Sequence, residues 1–176
     1  MKTNKAFTLS EVLISLVLGG MIMTAAMSTF IFFAKSVVRA GNYIQMEQQT
    51  TFGLEKFGRD LRSAKSITSY GTPVTSISLT IPEEAGANSY NVTYSYDSVR
   101  KTFNRSERGA ASIVLISDIG ANTFTFNRYD LLQNITQTDY STNQIQLSFT
   151  ISPTTNGLVA QTTKNVISSR FVLRNR

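Results

Sequence analysis

Residues 5–11 read K-A-F-T-L-S-E, and residues 12–34 continue V-L-I-S-L-V-L-G-G-M-I-M-T-A-A-M-S-T-F-I-F-F-A without a charge. As a helix rising ~1.5 Å per residue, that uncharged run extends about 34 Å. This matches the roughly 30 Å hydrocarbon core of a bilayer. Gly19, Gly20, Ala25 and Ala26 are small, and Ser15, Thr24, Ser28 and Thr29 are weakly polar. Residues of these types let helices approach closely and bond across a contact. The run therefore suits lipid and helix packing alike. It is too long for a secretory signal, whose apolar region is ~7–15 residues, and it starts directly after an acid, Glu11.

A carboxylate at the mouth of a spanning helix is costly unless it is solvated or paired. One reading leaves Glu11 in the headgroup layer. The other gives it a cation at similar depth, and an α-amino group freed by a cut just ahead of the apolar run would serve. A basic lysine, Lys5, and a small residue, Ala6, precede Phe7.

The short basic leader, the F-T-L-S-E stretch and the apolar run together resemble the class III signal of type IV pilins and type II secretion pseudopilins. The resemblance implies a leader of residues 1–6, removed by a prepilin peptidase between Ala6 and Phe7, and N-methylation of Phe7. The family mostly carries glycine before the cut, and here it is Ala6, the next smallest side chain. Glu11 falls at the fifth mature position, where the resemblance implies a glutamate that pairs with a neighbouring subunit's terminal amine and sets the axial register. It also implies the partners: other pilins or pseudopilins through the N-terminal helix, the peptidase, an inner-membrane assembly platform, and membrane lipid before assembly.

The remainder fits one domain, in a chain of 176 residues with 41% hydrophobic and 16% charged residues and a formal charge of +6. Neither cysteine nor histidine occurs. That excludes thiol and Ser/His or Cys/His nucleophiles, Cys/His zinc sites and disulfide staples. Beyond Ala34, apolar positions Val37, Ala40, Ile44, Leu54, Phe57, Leu61 and Ala64 step by three or four, which is helical spacing. Glu55 and Arg59 form a favourable i,i+4 pair. The helix is expected to run to about residue 66, weakened at Gly41, Gly53 and Gly58. From residue 67 the period becomes two. Strands are expected near 77–81, 90–96, 102–105, 113–116, 123–128, 145–151 and 166–173, with a turn at Asp97–Arg100. Alternation of this kind predicts an antiparallel sheet with one buried face, covered by Leu54, Phe57 and Leu61. The expected fold class is α+β: a long N-terminal helix whose second half packs on an antiparallel sheet. The divisions are 1–6 leader, 7–34 transmembrane and assembly helix, 35–66 amphipathic continuation and 67–176 globular domain.

No acid spacing matches a calcium loop, and no carboxylate pair stands out, so neither a metal, a cofactor nor an enzymatic activity is expected. Arg100, Lys101, Arg105 and Arg108, with Phe103 among them, read as a basic hairpin arm. The plain reading is a solvated edge strand, and the alternative is contact with DNA backbone and bases. The runs L-E-K-F-G-R-D-L-R-S-A, V-T-Y-S-Y-D-S-V-R-K-T-F-N-R and F-V-L-R-N-R are loosely similar to minor pilins of the PilW kind and pseudopilins of the GspJ kind. The expectation is a structural subunit of a type IV pilus or its tip, cleaved and held at the inner membrane with its C-terminal domain outside the cytoplasm. The alternatives are a type II secretion pseudopilin and an uncleaved single-span anchor carrying a ligand-binding β-domain.

Overall fold

The computed structural model describes residues 8–70, 74–83, 88–136, 138–152 and 165–173. The chain divides into two compact units, Met1–Gly41 and Asn42–Arg176. Helix α1 runs Leu9–Ser63. In the first unit every described residue, from Thr8 to Gly41, is exposed. Three hydroxyls there are turned inward on the helix's own backbone. Thr24 Oγ1 donates to the Gly20 carbonyl at 2.8 Å, Ser28 Oγ to Thr24 at 2.9 Å and Thr29 Oγ1 to Ala25 at 3.0 Å. Each hydroxyl is thereby satisfied within the helix, as an apolar solvent demands. The helix is long and apolar enough to cross a membrane.

In the second unit, α1 ends at Ser63, three residues before the expected limit. The Lys65 amide donates to the Thr80 carbonyl at 2.9 Å, so the sheet captures the chain there. Strands β1 (Ser66–Tyr70), β2 (Ser76–Pro82), β3 (Ser89–Asp97), β4 (Thr102–Glu107) and β5 (Ile113–Ile116) form a five-stranded antiparallel meander in chain order. Strands β6 (Thr125–Tyr129), β7 (Gln144–Ile151) and β8 (Asn165–Val172) form a second, three-stranded one. The single sheet expected from alternation is therefore two. Period-two patterning fixes which face is buried, not where pairing stops. Strand β1 was not among the expected strands. The segment Asp118–Gly120 joins the two sheets: Ile119 N donates to Lys101 O at 3.1 Å, and Gly120 N to Thr150 O at 2.6 Å.

Alternation governs burial as expected in β2 and β7. Ile77, Leu79 and Ile81, and Ile145, Leu147, Phe149 and Ile151, are buried in turn. The core closes on Phe57, which is fully buried. Its ring meets Tyr94 of β3 edge-on at 4.9 Å, Phe103 of β4 at 6.1 Å, Phe126 of β6 at 6.2 Å and Phe171 of β8 at 5.3 Å. One helical side chain thus touches both sheets. Burial of a side chain this size contributes about 1.5–3 kcal/mol.

The helix can lie close because Gly53 and Gly58 face the sheets. A Cβ on Gly53 would stand 2.7 Å from Ile116 Cγ1, and one on Gly58 would stand 2.7 Å from Phe171 Cε1. Both were expected to be weak points of the helix. They are instead its points of closest approach, and the helix continues through them unbroken. Of the expected stripe, Phe57, Leu61 and Ala64 are buried and Leu54 is half-buried, whereas Val37, Ala40 and Ile44 are exposed. The inward row begins instead at Met46, Thr50 and Gly53.

Candidate functional site

Helix α1 opens on a reciprocal cap. Thr8 donates its backbone N–H and its hydroxyl to Glu11 Oε2, each at 2.9 Å. The Glu11 amide reaches back to Thr8 Oγ1 at 3.4 Å, a long bond. With Thr8 at the cap and Glu11 three residues on, this is a capping box, which satisfies donors that a helix start otherwise leaves orphaned. The carboxylate also lies in the first turn, where the helix dipole favours negative charge. Glu11 is therefore held in one orientation, with both Thr8 bonds on Oε2. Among the described residues, Oε1 has no partner. The sequence reading gave Glu11 a partner in a neighbouring subunit and missed the nearer one, Thr8. The T-x-x-E spacing ahead of an apolar run was the signal that could have found it. Ala6 and Phe7, the expected cleavage and methylation residues, lie outside the described residues.

The basic hairpin is corrected by the structure. Strand β4 is an interior strand, because β5 pairs on its far side. It is not the solvated edge that was expected. Phe103 is fully buried, stacked 5.6 Å from Tyr94. Arg105 is buried too, its Nε 2.8 Å from Asp60 Oδ2 on α1 and its Nη1 2.8 Å from Glu107 Oε2. Tyr94 Oη donates to the same Asp60 oxygen at 2.8 Å. Burial pulls the Arg105 proton affinity down, but the bonds to Asp60 and Glu107 more than restore it, so the guanidinium stays charged. Burial, with the adjacent Asp60 carboxylate, pushes the Tyr94 hydroxyl far up. The cluster is a fixed ionic joint between helix and sheet. Arg100 and Lys101, at the exposed turn, and Arg108, just past β4, remain on the surface of the supposed arm. Phe103 and Arg105, two of the four residues expected to contact DNA, are thus buried in the fold. Asp97 holds that turn, its Oδ1 accepting from the Val99 and Arg100 amides at 2.9 Å each. Arg108 pairs with Glu83 and lies 4.8 Å over the Tyr90 ring.

A second ionic joint ties the two sheets. Arg128 Nη1 of β6 bonds Asp139 Oδ1, and the Ser69 amide of β1 donates to Asp139 Oδ2 at 3.1 Å. Burial pushes the Asp139 carboxyl up, but the Ser69 hydrogen bonds and the Arg128 charge outweigh it and leave it below its usual value. Among the described residues no group of three acidic side chains could hold a metal ion.

Residues 1–27 match the family model of the prokaryotic N-terminal methylation motif. No curated protein and no solved structure matches the chain significantly. The N-terminal segment therefore carries the class III signal of type IV pilin-like and pseudopilin precursors, which prepilin peptidase processes. The described part of that segment contains Thr8, Glu11 and the first four turns of the uncharged helix. With the α+β architecture above, the signal indicates a structural subunit anchored in a membrane before assembly.

Proposed function

We propose that the chain is a minor-pilin-like subunit, cut between Ala6 and Phe7, methylated at Phe7 and assembled into a type IV pilus or its tip. Before assembly, residues 12–34 hold it in the inner membrane with the C-terminal domain outside the cytoplasm. The carrying observation is the methylation motif at residues 1–27 continuing into an uncharged helix that opens on the Thr8–Glu11 box. A carboxylate fixed at the helix mouth, with one oxygen free of partners among the described residues, suits a single incoming cation. The amine of a neighbouring subunit's Phe7 supplies one at the right depth. Both groups are poorly solvated there, so their attraction is far stronger than that of a surface pair. The surface of residues 12–34 is uncharged, with the Thr24, Ser28 and Thr29 hydroxyls internally bonded. Lipid and a bundle of like helices are then similar surroundings for it, and transfer leaves little apolar area in water. The loose similarity of the helix-end, hairpin and C-terminal runs to minor pilins and pseudopilins alike supports a low-copy subunit over a major one.

The test is Ala6→Leu expressed with an active prepilin peptidase. A bulkier residue before the cut is expected to shift the protein to the uncleaved form on a denaturing gel. An unchanged ratio of the two forms would sink the reading.

A further inference from the structure

The connection between β6 and β7 exposes apolar side chains on a rigid frame. Leu131 is 78% exposed, Leu132 80%, Ile135 67% and Tyr140 93%. The tip is tightly hydrogen-bonded. Asp130 Oδ1 accepts from the Asn134 amide at 2.8 Å, the Gln133 amide donates to the Asp130 carbonyl at 3.2 Å, and Tyr129 and Ile135 form a β-bridge. Gln133 takes the left-handed conformation that closes the turn, at φ 66°. The base is tied down by Asp139 on Ser69 and Arg128. Leu131, Leu132 and Tyr140 share one open hollow with Asp130. A frame this well bonded that presents leucines to water has the features of an interaction site, and its backbone is pre-placed, which lowers the cost of binding.

Charge selects the occupant. No lysine or arginine occurs between residues 129 and 143. Asp139 is neutralised by Arg128, whereas Asp130 faces no cation among the described residues. An anionic lipid surface attracts basic segments, so it does not suit this patch. A two-fold contact between copies would set Asp130 against Asp130, which is unfavourable. We propose that this hollow docks a different protein, through an apolar side chain flanked by a lysine or arginine that reaches Asp130. The inference does not depend on which machine the chain serves.

The test places a photo-crosslinking p-benzoylphenylalanine at position 132 of the full chain in its native membrane and identifies the linked peptide by mass spectrometry. The expected product is an adduct with another protein, its linked peptide carrying a basic residue beside an apolar one. Asp130→Lys in the same chain is expected to cut its yield about tenfold or more, since like charges across a contact cost several kcal/mol. Leu131→Ser is expected to reduce the yield while leaving the melting temperature unchanged, because the side chain is exposed. An adduct with a second copy, an adduct with lipid, a linked peptide without a basic residue, an Asp130→Lys yield equal to the parent's, or no adduct at all would each overturn the proposal.

Discussion

Asp60 is an acid on the buried face of a helix, and its position has one justification: two partners come to it. Tyr94 and Arg105 both reach the same oxygen at 2.8 Å, from adjacent strands in which they are register partners. Removing one member of a buried pair leaves an uncompensated charge and costs about 3–5 kcal/mol. Asp60→Asn is therefore expected to lower the unfolding free energy of the detergent-solubilised chain by about 3 kcal/mol, read from the urea midpoint. A change within the ±0.5 kcal/mol typical of surface substitutions would contradict this account of the joint. Asp139 gives a pH-dependent prediction. Its carboxyl is held below its usual value in the folded chain, so the folded state binds fewer protons than the unfolded one near and below about pH 4. Its contribution is present above that range and is lost as pH falls through the lowered folded value. Asp139→Asn should make the acid limb of a melting-temperature profile shallower, and an unchanged limb would refute the assignment.

Helix α1 shows at the scale of an element what the sequence could and could not reveal. Its existence and its role as cover for the sheet were legible, because three-and-four spacing at Leu54, Phe57 and Leu61 directly reports a buried face. The purpose of its glycines was not legible. A glycine in a helix reads locally as a cost of about 1 kcal/mol, and only the tertiary fold reveals which glycines meet a neighbour. Gly53 meets the fully buried Ile116, whereas a Cβ on Gly41 would meet nothing within 4 Å. Gly41→Ala should thus preserve or slightly raise the melting temperature, gaining the propensity difference. Gly53→Ala should lower it, because overpacking costs about 1–3 kcal/mol against that gain. If both variants behave alike, close approach at Gly53 is not what holds the helix down. The misreading of β4 has a similar origin. Arg105 and Phe103 look like an exposed basic arm until β5 pairs beyond them and Asp60 arrives from 45 positions away. Ionic partners that distant in sequence leave no local trace.

The whole molecule combines two units with opposite surface chemistry. Residues 12–34 of the first present an uncharged, largely apolar surface on every side, as is characteristic of membrane spans and buried helices. The second encloses an aromatic core between two antiparallel meanders and a helix, locked by two ionic joints. Among the described residues its strands pair with chain neighbours within each sheet, and the long-range joints of Asp60 with Arg105 and of Ser69 with Asp139 close the unit. The proposed N-terminal site, Ala6, Phe7 and Glu11, belongs to a linear signal, which is why a motif could carry it. The hollow at Leu131 and Tyr140 was invisible to pattern, since exposed leucines carry no periodicity. The central claim concerns the N-terminus, and the most direct measurement is the intact mass and N-terminal sequence of the protein recovered from its native membrane. The account predicts a chain that has lost residues 1–6 and begins at methylated Phe7. A chain beginning at Met1, in cells with an active prepilin peptidase, would remove the amine that Glu11 awaits. It would leave an uncleaved anchored domain in place of a fibre subunit.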